Sequence, residues 1–109
     1  MDYSQLSDFE INKLVAQAKR YPIKSTQHFG DAGLSIVMCE YGYPAHFDPC
    51  RNPGDAWPII EKQLIRIVPV VIGEKTQWVC SRDIHASASE NPLRAAMIVF
   101  IMMQDAKHA

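Results

Sequence analysis

The sequence predicts an α+β fold: an N-terminal, a short central and a C-terminal helix packed on a small antiparallel sheet of about three strands. Three stretches carry that prediction. "SDFEINKLVAQAKR", residues 7–20, holds an apolar helical stripe behind a capping signal. "LIRIVPVVI" and "TQWVC", residues 64–72 and 76–80, are β-rich runs separated by a Gly-containing turn. "NPLRAAMIVF", residues 91–100, opens with an Asn-Pro helix start and continues apolar. At 109 residues the chain is too short for two self-sufficient cores, so residues 1–109 read as a single domain.

In the first helix Ser7 and Glu10 have capping-box spacing, in which each side chain answers an orphan N–H of the first turn. Ile11, Leu14, Val15 and Ala18 form the stripe, Lys19 and Arg20 suit the C-terminal dipole, and Pro22 stops the helix. Residues 23–33 are polar and contain Gly30 and Gly33, which predicts a loop. "LSIVMCEY", Leu34 to Tyr41, has the β-branched and aromatic content of a strand buried on both faces. From Gly42 to Gly54 three prolines and two glycines predict a long ordered loop, the kind of segment that often carries function.

Asp55 reads as the N-cap of the central helix, with Trp57 and Pro58 in its first turn. Ile59, Ile60 and Leu64 would supply its buried side. The next two runs form a hairpin through Gly73, Glu74 and Lys75, and Pro69, which has no N–H to donate, places its strand at an edge. "SRDIHASASE" reads as a second polar loop. Asn91 then caps the last helix, with Pro92 as its first residue. Leu93, Ala96, Met97, Phe100, Ile101 and Gln104 mark one stripe, and Ile98, Val99 and Met102 make the opposite side apolar too. A helix apolar nearly all round is either central to the core or half of an interface.

Composition excludes several function classes. Eleven basic and twelve acidic residues give a net charge of −1 with no basic stripe, so binding driven by nucleic-acid phosphates or anionic membranes is not expected. The longest apolar run, residues 95–103, is far short of the roughly 20 residues a membrane span needs. Three cysteines argue against a disulfide framework, and the acidic N-terminal stretch lacks a signal-peptide core. The expectation is a soluble, cytosolic protein.

Candidate chemistry is sparse. Cys39, His46, Cys50, Cys80 and His85 are metal-ligand types, but no C-x-x-C pair is present, and buried thiols with surface histidines explain them; no metal or cofactor is expected. Cys50 lies between Pro49 and Arg51, where the arginine would lower its pKa and leave an exposed, reactive thiol without the base that catalysis requires. Asp48, Asp55 and Glu61 read as caps and dipole partners before acid–base groups. Gly30 to Gly33 do not form a phosphate loop. Tyr41, Tyr43, Phe47 and Trp57 have faces on which bases stack, but few basic residues interleave with them. For Trp57 and Trp78 the plainer role is core packing. The functional alternative for Trp57 is an edge exposed beside Asp48, Arg51 and Asn52, making a recognition surface. The binding candidates are therefore Asp48, Arg51, Asn52, Asp55, Trp57 and Arg94.

Three quoted stretches carry a resemblance: "MDYSQLSDFEINKLVA", "FDPCRNPGDAWPIIEK" and "ENPLRAAMIVFIMM". Together they are similar to the small NinX-like proteins of lambdoid phages and enterobacterial prophages. The marks are Trp57 before Pro58, Ile59, Ile60 and Glu61, and Asn91, Pro92 and Leu93 opening a helix with Ala95, Ala96 and Met97. Trp57 abuts Pro58 directly, where NinX itself has a glycine-containing link. The resemblance implies phage origin and expression inside a bacterium, and it carries over no catalytic residues. The expected function is a non-enzymatic phage accessory protein that binds a host or phage protein, with a homodimer through the last helix as a further expectation. The alternative is a small-ligand or nucleotide module built from the 42–57 loop and Arg94.

Overall fold

The computed structural model describes residues 2–29 and 34–108. After a 3-10 turn at Tyr3–Gln5, the chain forms α1 (Asp8–Ala18), β1 (Ile23–Phe29), β2 (Leu34–Cys39), α2 (Pro53–Gln63), β3 (Arg66–Ile72), β4 (Lys75–Arg82), β5 (His85–Ser89) and α3 (Pro92–His108). The fold is α+β, as the sequence predicts, but its strands form two antiparallel sheets, β1–β2 and β3–β4–β5, rather than one of about three strands.

Two expected loops turn out to contain strands. Residues 23–29 pair with β2 despite their polar side chains, because a two-stranded ribbon leaves Lys24, Ser25 and Gln27 exposed. Residues 30–33, where Gly30 and Gly33 lack the spacing of a phosphate loop, lie outside the described residues. In the segment 81–90, β4 runs on to Arg82 and β5 pairs back on it, with Asp83 taking a left-handed φ of 55° in the turn. β5 alternates half-buried His85, Ser87 and Ser89 with exposed Ala86 and Ala88, an inverted polarity that conceals the strand.

The helix ends obey local rules. Ser7 Oγ accepts the Glu10 N–H at 3.1 Å and starts α1, which closes at Arg20 with φ 60°. Asn91 Oδ1 accepts the N–H groups of Leu93 at 2.9 Å and Arg94 at 3.3 Å, so the expected cap of α3 is formed. The N-cap of α2 lies three residues before the expected Asp55: Asn52 is the cap, accepting from Gly54 N–H at 2.9 Å, and Pro53 occupies the first turn. Pro58 thus falls inside the helix. Leu64, expected on the buried side, is instead the left-handed C-cap and is exposed.

α3 is the hub. It packs against α1, α2 and the three-stranded sheet, and Ala95 to Ile101 are all buried. An all-round apolar helix is what such a central position requires. Ala95 to Ile101 thus turn their apolar side chains to neighbours within the chain. Ile11, Val15 and Ala16 of α1 and Ala56, Ile59 and Ile60 of α2 complete the core. β2 lies against α1, where Val37 and Cys39 are buried. β3 is an edge strand, as Pro69 predicts.

Candidate functional site

The segment after β2 folds back on the body at Phe47, whose N–H donates to Val37 carbonyl at 2.9 Å. Phe47 and Pro49 are buried, and Tyr21 packs edge-on to Phe47 (5.3 Å between centroids) and tilted against Tyr43 (5.4 Å). These contacts hold the loop against the core ahead of α2.

A polar knot then forms around Asp48. Its Oδ1 accepts from Asn12 Nδ2 at 2.6 Å, and its Oδ2 accepts from Arg51 Nε at 2.8 Å and pairs with Arg51 Nη2 at 2.7 Å. Asp55 Oδ2 accepts the Asp48 N–H at 3.0 Å, so Asp55 secures the loop instead of capping the helix. Asn12, fully buried on α1, also accepts the Cys50 N–H at 3.0 Å. Asn91 Nδ2 donates to the Cys50 carbonyl at 2.6 Å, so the cap of α3 is tied to the same loop. A buried polar group is costly unless paired, and here both ends of each amide are engaged. Among the described residues no buried side-chain polar atom lacks a partner.

Five of the six candidate residues are therefore neighbours. Arg51 and Asp55 bond to Asp48, Asp48 also ties the loop to Asn12 of α1, and Asn52 caps α2. Trp57 points the other way: it is 55% exposed, and its Nε1–H donates to Glu61 Oε2 at 3.1 Å, one turn along α2. Core packing is not its role. Arg94 does not build a pocket with the loop. It pairs with Asp8 Oδ1 at 2.8 Å and donates to the carbonyls of Leu6 at 2.6 Å and Ser4 at 3.3 Å, pinning the N-terminal segment. Asn12 and the second role of Asn91 escape the sequence reading; the only trace of Asn12 is its adjacency to the stripe of Ile11 and Val15.

Cys50 is fully buried, contrary to the exposed thiol expected, and burial pushes its thiol up to about 12. Asp8 and Asp48 add to the rise, while Arg94 and Arg51 only partly offset it. The arginine effect exists, and desolvation outweighs it. Cys39 and Cys80 are buried as well, with thiols raised first by the same desolvation. Among the described residues no group of three His, Cys, Asp or Glu side chains converges as a metal site. A hollow of about 340 Å³ lies away from the loop, on the outer side of α1, lined by Leu6, Glu10, Lys13, Leu14 and Gln17. No helix among the described residues is long and apolar enough to cross a membrane.

A family model described as "Bacteriophage P22, NinX" matches residues 2–104. No curated protein matches the chain.

Proposed function

From the premise that this chain belongs to the bacteriophage P22 NinX family, we propose that it is a non-enzymatic accessory protein that binds a host or phage protein in the bacterial cytoplasm. The observation that carries this reading is Trp57. A large aromatic side chain stands half out of a well-formed helix, and its hydrogen bond to Glu61 holds the indole in one orientation. Tryptophan is the residue type most enriched among interface hot spots, and a restrained side chain loses little entropy on binding. Leu64, 68% exposed at the end of the same helix, extends the apolar ground.

The rest of the site supports binding over chemistry. Asp48 is locked between Asn12 and Arg51, and a nucleophile with a pKa near 12 is protonated at neutral pH. What the knot supplies is rigidity beneath α2. Capture from phage-infected host lysate tests the reading, with Trp57→Ala and Arg51→Ala compared against the native protein. A partner retained by the native protein should be lost on Trp57→Ala, whose fold is checked by its melting curve. The same set of proteins captured by both would refute the assignment of Trp57.

A further inference from the structure

The indole N–H is the one hydrogen-bond donor of a tryptophan side chain, and Glu61 Oε2 takes it at Trp57. The exposed ring therefore offers a partner its π face, which is the negative part of the aromatic quadrupole. The same bond fixes a carboxylate at the edge of that ring. Its second oxygen, Oε1, has no hydrogen-bond partner among the described residues, and Glu61 makes no ion pair there.

The other charges on and beside α2 are turned elsewhere or already paired. At about 100° per residue, Trp57, Glu61 and Leu64 fall within roughly 60° of one another around the helix axis. Lys62 is exposed but turned about 100° from Glu61, and about 140° from Trp57. Asp55 lies about 160° from Trp57, and its carboxylate is held by the Asp48 N–H. Arg51, ahead of the helix, is paired with Asp48. Arg66 follows Leu64 by two residues and sits in the strand row next to Ile67–Cys80. The Cys80 thiol meets Pro92 of α3, so alternation turns Arg66 to the sheet face away from α3, whereas α2 packs on α3. The charge that adjoins the indole is Glu61.

Leu64 is an independent observation on the same side of the helix. Its φ of 56° suits glycine and its side chain is exposed, so neither backbone preference nor burial accounts for a leucine at this cap. An apolar contact with another molecule does account for it. It stands two turns, about 10 Å, along the axis from Trp57.

We propose that Trp57 and Glu61 receive an arginine side chain of the partner protein, while an aliphatic residue of the same partner segment meets Leu64. This names the partner's chemistry at the site proposed above, and it rests on that reading of Trp57. A guanidinium is planar and weakly hydrated, so it stacks on the indole while one of its N–H groups donates to Glu61 Oε1. An acidic segment or a nucleic-acid phosphate would instead be repelled by Glu61. In a two-fold dimer the patch would meet itself, acid against acid and without an arginine.

Selection of a random 12-residue peptide library on the full chain, with counter-selection on Trp57→Ala, tests the proposal. Enriched peptides should carry Arg close to Leu, Ile or Val. Glu61→Gln keeps an acceptor for the indole N–H and removes the charge. By fluorescence anisotropy the peptides should bind it about 5-fold more weakly, and Glu61→Lys at least about 10-fold more weakly. Replacing the peptide arginine by citrulline, its neutral isostere, should weaken binding to the native chain by about the same factor as Glu61→Gln. Melting curves verify that the variants fold, and the citrulline comparison decides alone if they do not. Peptides that need Trp57 but bind equally well as the citrulline form, or equally well to Glu61→Gln, overturn the arginine and leave Trp57 as a contact. If no peptide distinguishes Trp57→Ala from the native chain, both readings fall. Enrichment of acidic peptides, or a dimer in sedimentation that Glu61→Gln dissociates, overturns the proposal as well.

Discussion

At Cys50 two arginines draw the thiol's pKa down and burial draws it up further, to about 12. The consequence is measurable as pH-dependent stability. An unfolded chain ionises this thiol near its ordinary value of 9, and the folded protein holds its proton until about 12. Between those values the folded state binds more protons, so stability falls as pH rises through the window, by up to about 4 kcal/mol for three pKa units. Urea denaturation at pH 8 and pH 10.5 should show the native protein losing more stability than Cys50→Ala, and iodoacetamide at pH 8 should modify Cys50 only after unfolding. The sequence makes the arginine next to Cys50 visible and the burial invisible. Neighbours along the chain can be read directly, whereas desolvation depends on what packs overhead. The same holds for Asn12, whose partners Asp48 and Cys50 lie 36 and 38 residues away.

Elements were legible where their signals are local. The caps at Ser7 and Asn91, the hairpin through Gly73 and the edge position of Pro69 all follow from rules spanning a few residues. β1 and β5 were not legible, because β1 is built of polar residues and β5 alternates with its polar residues on the more buried side, so neither shows the apolar alternation that marks a strand. α2 ends on Leu64 with φ 56°, a conformation that disfavours a side chain with a Cβ. Leu64→Gly should therefore stabilise the protein by about 0.5–1 kcal/mol, the relief of backbone strain exceeding glycine's entropy cost. Thermal melting checks it, and an unchanged or lower midpoint would show that the exposed leucine contributes contacts of its own.

Over the whole molecule, α3 gathers elements that sequence places far apart, and Arg94 near its start holds the first residues of the chain. Arg94→Ala removes hydrogen bonds to two backbone carbonyls and an ion pair with Asp8, and it should cost about 1–3 kcal/mol. Hydrogen exchange should then quicken first at residues 2–8; uniform quickening across all helices would mean that the segment is not a separate unit. The candidate site divides in the same way. The stretch from Asp48 to Trp57 is contiguous in sequence, but which of its groups face inward, and that Asn12 and Asn91 join them, depends on packing. By itself the sequence determined the α+β class, the starts of α1 and α3, the hairpin and, through "DAWPIIEK" and "ENPLRAAM", the family, since each rests on short-range stereochemistry or on shared pattern. Only the tertiary structure decided that Cys50 is sealed, that Trp57 stands out and that Arg94 serves the N-terminus. Those outcomes depend on which surfaces meet, and burial is a property of the assembled chain.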